Sequence, residues 1–492
     1  MTGLPALEDV LDASGIAPRA EALLPSGARA RQLTVRTLLL GMMTALADGR
    51  PAHLTRVHQA LTSLPEGEQR RLGVLADWKG GPHRLTYRQT EYTFALVTAA
   101  LARDKPDGLP ARRCRRPAMT CSRPASPQGS RAPAGRWPST GRTWSPSPAP
   151  RRAGPATAPI PRPPGGHRKN NLRHDDDELF YGYYVSAAVM VPGEQGAPVP
   201  EFARRMTLSS CRRDPVPAFT PVLTAMPAAG IPPGDVLADS GYSHRVPGNW
   251  AAPLRRAGAA LVQDLHPGDR GPKGTHQGAV TANGNLYCPQ TPRTLLELGP
   301  LARGATKEQA AARDAKTAEA ARCKLGRLTA DDEDGCHRVQ CPAAAGKVRC
   351  PLRPAPVTLD RDRPEILTPP EHPQACCTRQ TLTVPPDVLA KTAQKHDYPA
   401  AAWHRSYARR TAAERVFATV KDPAASDTAR GWCRLTGLAP LMLFTMVLLA
   451  VRNQRILTAW NARQDEGTRR AAKGLPPKTR RRRRKTPATA PP

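Results

Sequence analysis

Four polar side chains, Tyr407, Arg410, Glu414 and Lys421, stand at offsets of 0, 3, 7 and 14 residues in one Ala- and Arg-rich segment. On a single α-helix these offsets bring all four to one stripe, because seven residues are nearly two full turns. One carboxylate is thus flanked by cations. A second carboxylate, Asp239, ends the apolar run DVLAD and is followed by Ser240, Gly241 and Tyr242. A carboxylate at the C-terminal end of a buried strand, with Gly supplying the turn, is placed to hold a metal ion. Each feature also has a plain structural explanation. Arg410, Glu414 and Lys421 describe a solvated, salt-bridged face, and Asp commonly begins turns. A third set, Cys336, Cys341, Cys350 and Cys376, with Cys377, His337 and His372 nearby, offers thiolate and imidazole ligands for zinc, at loose spacing and without paired CxxC knuckles. Free cysteines serving as small hydrophobes account for the same residues.

The elements around these residues read as follows. Residues 1–105 are helical, with apolar residues at three- and four-residue steps over Val35–Ala47, His53–Leu61 and Arg88–Ala102. They form a small helical domain, a pattern that ordinary helix packing gives. Residues 106–174 change character: from Gly108 to His174 there is no Asp or Glu, and Pro, Arg, Ser, Ala and Gly dominate. Such a segment buries too little apolar surface to offset the entropy of ordering it. Patterning returns in 175–275, with strands over Phe180–Val191, Arg205–Ser210, Asp235–Ala238 and Ala259–Leu265 and helices over Pro217–Ala229 and Val246–Ala257. Two strands followed by helix, strand, helix and strand imply an α/β fold, a mixed sheet covered by helices. Residues 276–380, which hold the cysteines and a helical piece over Lys307–Lys324, read as an insertion. The sheet domain resumes over 381–460 through the Tyr407 helix and an apolar helix over Leu435–Val451, which Pro440 interrupts and which is too short for a membrane span. Residues 461–492 form a basic tail containing the run Arg480–Lys485.

Charge narrows the partner. Lys and Arg total 73 against 41 Asp and Glu, giving +32 over 492 residues, a balance that favours salt-sensitive association with a polyanion such as double-stranded DNA. The N-terminus lacks a charged region followed by an apolar one, and the eleven cysteines are an odd number. Both point to a reducing cytoplasm, and for a DNA-bound protein to the nucleoid, rather than to secretion or a membrane.

The Y-(2)-R-(3)-E-(6)-K spacing together with the Asp-x-Gly-Tyr tetrad resembles the signature of DDE transposases of bacterial insertion sequences, most strongly over Phe180–Leu265 and His404–Arg455. The resemblance implies a ribonuclease-H-like mixed sheet with flanking helices, an insertion between the second and third catalytic carboxylates, and an α-helical N-terminal domain. It further implies that Asp239 and Glu414 bind Mg²⁺, that Arg410 and Lys421 hold DNA phosphates, that Tyr407 positions a strand, that residues 1–105 are a candidate DNA-end-binding domain, and that the protein acts on element ends and target as a homo-oligomer. In that family three carboxylates hold two Mg²⁺ ions for in-line phosphoryl transfer.

The first of the three is missing. It belongs on a strand before Phe180, where the acid-free segment lies; Asp175, Asp176 and Asp177 occupy a polar turn, HDDDE, and read as solvated charges. A shifted reading frame through the codons of Trp137 to Ser147 permits Ala-Val-Asp-Gly-Thr-Asp-Val-Glu-Ser-Phe, an apolar strand ending in Asp, so a pair of compensating frameshifts near 110–118 and 160–166 explains the gap. Three readings stay open: an active transposase, a non-catalytic DNA-binding remnant of one, and a zinc-dependent nucleic-acid adaptor.

Overall fold

The computed structural model describes residues 3–25, 31–49, 53–78, 81–103, 142–144, 165–169, 177–231, 234–302, 304–353, 364–366, 368–422, 435 and 437–478. The missing carboxylate, which the shifted frame places across the codons of Ser139 and Thr140, lies outside them, as do Asp175, Asp176 and the basic run Arg480–Lys485. The chain divides into two compact units, one of residues 1–97, 200–202 and 445–492, the other of 98–199 and 203–444.

The first unit is helical, as its apolar periodicity requires. It contains α1 (Leu4–Ser14), α2 (Ile16–Ala22), α3 (Val35–Ala47), α4 (Leu54–Thr62), α5 (Glu66–Arg71), a hairpin of β1 (Leu75–Trp78) and β2 (Gly81–Arg84), and most of α6 (Tyr87–Arg103). Helix α3 is its hub: Thr34 caps it by accepting from Thr37 N–H, and Leu38, Leu39, Leu40, Met42 and Leu46 are all buried. At Gly41 a Cβ would lie 2.8 Å from Leu61, so the missing side chain lets α4 pack close. Near the opposite end Arg455 donates to the carbonyls of Leu46 and Ala47, both at 2.8 Å, satisfying two of the orphan acceptors of the last turn.

In the second unit β3 (Arg142–Trp144), β6 (Tyr183–Val189) and β7 (Ala203–Ser210) form an antiparallel sheet in the order β3-β6-β7, while β4 (Gly165–Lys169) pairs with β5 (Asp177–Tyr181). Asp177 therefore begins a strand rather than sitting in a turn, and the expected strand over Phe180–Val191 divides at Gly182. Then come α7 (Val216–Thr224), β8 (Asp235–Ala238), α8 (Ser240–Ser243), α9 (Ala251–Arg256) and β9 (Ala260–Gln263). Strands β8 and β9 are parallel, with Asp235 opposite Ala260 and Ala238 opposite Gln263. A strand, a helical crossover and a parallel strand make a βαβ unit, and Phe219, Leu223, Trp250, Leu254 and Leu261 form the core beneath it.

Residues 272–384 add small strands and helices to the same unit. Strands β10 (Pro272–His276), β11 (Ala279–Ala282) and β12 (Asn285–Tyr287) make a meander, followed by α10 (Arg293–Leu296), α11 (Lys307–Arg322), β13 (Gly326–Arg327), β14 (His337–Gln340), α12 (Ala375–Thr378) and β15 (Leu382–Val384). Both two-residue turns of the meander, Gln277-Gly278 and Asn283-Gly284, have positive φ at each position, the requirement of a tight hairpin.

Three helices complete the chain: α13 (Ala401–Ala408), α14 (Thr411–Lys421) and α15 (Leu438–Ala472). The expected helix over Leu435–Val451 starts three residues later and runs to 35 residues. Pro440 does not interrupt it, because it falls in the first turn, where no backbone donor is needed. By length and composition α15 is long and apolar enough to cross a membrane, with half of its most apolar window buried in the protein.

Candidate functional site

Asp239 follows the last residue of β8 and caps α8, its Oδ1 accepting from Gly241 N–H at 3.2 Å. The parallel pairing explains its place: in βαβ units the C-terminal ends of the strands open onto a crevice, where side chains meet. Asp239 is 4% exposed. Burying a carboxylate is costly unless a cation or hydrogen bonds compensate it, and the cation is Arg410, whose Nη1 lies 4.0 Å from Asp239 Oδ2. The same guanidinium donates from Nη2 to Glu414 Oε1 at 2.9 Å. Two carboxylates 175 residues apart in sequence are thus brought to one guanidinium.

The single stripe expected for Tyr407, Arg410, Glu414 and Lys421 is broken. Arg409 and Arg410 form a joint between α13 and α14 in which Arg410, Ala412 and Ala413 N–H bond back to Tyr407, Arg409 and Arg410 carbonyls, the three-residue spacing of a tightened turn. The joint aims two consecutive arginines at the two ends of β8. Arg409 Nη2 donates to Asp235 Oδ2 at 2.6 Å and Nη1 to the Pro192 carbonyl at 3.0 Å, while Arg410 serves Asp239. Arg409 and Asp235 were not among the residues singled out by the sequence, since nothing local marks a pair 174 residues apart. Lys395 also reaches Asp235, at 2.8 Å. Burial pushes the Asp235 carboxyl up, and the Lys395 and Arg409 cations more than offset it, leaving it below the usual range. Beside them Glu194 accepts from Ser406 Oγ at 2.6 Å and lies 2.6 Å from His396 Nε2, and these contacts hold it at about 2.

Tyr407 is stacked on buried Trp403, ring centroids 4.7 Å apart at 14°, with the Arg410 guanidinium 5.3 Å above its ring. Burial, more than any charge, raises its phenol well above the ordinary value. The ring packs within the protein and fixes Arg410. Lys421 is exposed at the end of α14.

Against this cluster lies a cavity of about 640 Å³, walled by β6 (Ala187–Val189), β8 (Val236–Ala238), Phe219, Tyr242, Trp250 and Phe417, with Arg409 and Arg410 at its edge. Among the described residues, β3 pairs with β6 over Tyr183–Val185.

Among the described residues, the side chains whose ligand atoms converge within 4.8 Å as a potential cation site are His244, His266 and Asp269. Sequence reading missed them because they come from the two strand exits, β8 and β9. Asp269 Oδ2 is buried without a hydrogen bond, but Lys391 holds Oδ1 at 2.7 Å. His266 Nδ1 accepts from Gly268 N–H at 3.1 Å, which leaves the proton on Nε2. Burial and the facing His244 lower the His266 pKa. The trio is therefore a neutralised turn rather than a prepared metal centre. Of the cysteines expected to bind zinc, Cys341 and Cys350 line one small space with Cys288 and Cys377, whereas Cys336 precedes β14 and bonds through its N–H to Asp332 at 2.7 Å.

Comparison of the chain with protein-family models, with curated proteins and with solved structures finds no match.

Proposed function

We propose that this protein is a DNA-binding relative of insertion-sequence transposases whose carboxylate pair is held by its own arginine and does not cut DNA. The observation that carries the reading is the joining of Asp239 and Glu414 by Arg410, three residues of the family's signature, at the C-terminal end of a parallel strand. The strand order supports it in part: β3, β6 and β7 pair antiparallel, and β8 and β9 pair parallel in a sheet of their own, with the β4–β5 hairpin between β3 and β6 in sequence, whereas a ribonuclease-H-like sheet would join the antiparallel and parallel strands in one. In that arrangement an intact first strand in the register of β3 would run on along Ser186–Val189 toward β8, through the 640 Å³ cavity.

Mg²⁺, where such a site holds it, activates the attacking oxygen and stabilises the leaving one. Asp239 and Glu414 would be its ligands here. Two features weigh against it. The cation already between them is Arg410, whose Nε and Nη1 are buried without hydrogen-bond partners, and Gly108–His174, which includes β3, contains no carboxylate. The residues do not fit a two-metal centre, and no cleavage step is assigned to them.

Binding follows from the net +32 and needs no metal. The test pairs two assays on the purified full chain: fluorescence anisotropy with duplex DNA, and nicking of supercoiled plasmid with Mg²⁺ or Mn²⁺. Binding without nicking is expected. Metal-dependent nicking that Glu414→Ala abolishes would instead establish the cutting and joining enzyme, and absence of DNA binding at low salt would remove the proposal altogether.

A further inference from the structure

Three cysteines in the insertion share a local design. Cys288, Cys341 and Cys350 are each followed by proline, and each accepts at its carbonyl from an N–H three or four residues on: Thr291 to Cys288 at 3.0 Å, Ala345 to Cys341 at 3.0 Å, Arg353 to Cys350 at 3.0 Å. Each is thus the first residue of a tight turn in which proline fixes φ and presents the thiol. Such turns offer thiolates to metals in zinc knuckles and ribbons. The three turns come from separate segments, yet all line one space of about 10 Å³, and Cys377 of α12 lines it too. That volume is close to the room for one water or one bare ion.

The surroundings favour a structural metal. The insertion is built from strands of two to five residues and, apart from the largely exposed 16-residue α11, single-turn helices, with small buried clusters around Leu295, Leu296 and Val348 and around Leu286, Leu325 and Val339. Small bodies with limited cores are commonly stapled by a metal or disulfides, and these cysteines are free thiols. Cys376 Sγ lies 3.7 Å from Cys377 Sγ, close to the separation of two sulfurs on one zinc, so the adjacent cysteine is a ready substitute ligand.

We infer that Cys288, Cys341, Cys350 and Cys377 form a tetrahedral structural zinc site that staples the insertion. The inference revises the ligand set expected from spacing alone, replacing Cys336 and Cys376 with Cys288 and Cys377, and it is independent of the DNA-binding proposal. Binding asks the thiols to lose their protons and turn inward until each sulfur is about 2.3 Å from the ion; it forms no other bond and needs no redox partner.

The test is metal analysis of the full-length protein purified without chelator, followed by Co²⁺ replacement. About one zinc per chain is expected, with intense sulfur-to-cobalt charge-transfer absorption and the d–d bands of a tetrahedral four-thiolate site. Cys341→Ser and Cys350→Ser should lose the metal, while Cys336→Ser keeps it at wild-type stoichiometry. If the serine variants fail to fold, the Co²⁺ spectrum of the wild-type protein still decides. A folded, metal-free chain whose melting chelators leave unchanged would overturn the inference. So would a Co²⁺ spectrum without thiolate charge transfer, as His244, His266 and Asp269 would give, or metal loss in Cys336→Ser equal to that in Cys341→Ser.

Discussion

At the residue scale the account rests on a guanidinium between two carboxylates. Arg410 is planar and forked, so one side chain serves Asp239 and Glu414 from different nitrogens. Arg410→Ala removes the charge-assisted hydrogen bond to Glu414 and the 4.0 Å ion-pair contact with buried Asp239, and is expected to cost about 1.5–3 kcal/mol, the range for a hydrogen bond to a charged group. Arg410→Lys recovers less than half, because an ammonium cannot reproduce the fork. Unfolding in urea followed by tryptophan fluorescence checks both, and wild-type stability in Arg410→Ala would rule out the pairing. Glu194 gives a pH prediction. Its contacts with Ser406 and His396 lower its pKa from 4.5 to about 2 in the folded state, so it contributes stability that is present above pH 4.5 and is lost as pH falls toward about 2. A Glu194→Gln variant should show a flatter melting profile across that acid window, with the difference from wild type largest at neutral pH.

At the element scale, two joints position the site. The first is the α13–α14 turn, whose geometry depends on Trp403, 1% exposed and stacked beneath Tyr407. Trp403→Ala should cost about 3–5 kcal/mol and release Tyr407 as well, measurable as a fall in melting temperature larger than that of Tyr407→Phe. The second is the Asn283-Gly284 hairpin, where a Cβ on Gly284 would lie 2.2 Å from the Thr392 carbonyl at a φ of +82°. Gly284→Ala is expected to destabilise by about 1–3 kcal/mol, while Asn285→Ala next to it should change little. Much at this scale was legible in the sequence. The strand Asp235–Ala238 and the helix Val35–Ala47 have the expected limits, because an apolar run between turn residues and a capped, periodic stretch are local signals. The break at Arg409–Arg410 was not legible: α13 and α14 continue one periodicity, and the turn is tightened by Asp235 and Asp239, partners supplied by tertiary structure. For the same reason spacing alone does not show which cysteines line one space, since Cys288 and Cys377 lie far from Cys341 in sequence and border the same small cavity.

At the scale of the whole molecule, charge and the carboxylate pair give separable expectations. A net +32 predicts duplex binding with little sequence preference and an affinity that falls by roughly 10³ or more between 50 and 200 mM salt; deleting residues 480–485 should reduce the logarithmic salt slope by as much as about 5. Salt-independent binding would show that phosphate contacts are not the source of affinity. The central claim is that Arg410 stands where a transposase of the resembled family would hold its metals. Its most direct test is Mn²⁺ titration by calorimetry of the wild type, Arg410→Ala, and Arg410→Ala combined with Asp239→Asn. No Asp239-dependent Mn²⁺ binding is expected in the wild type, and a site should open in Arg410→Ala and close again in the double variant. Mn²⁺ binding by the wild type that Asp239→Asn alone abolishes would contradict it.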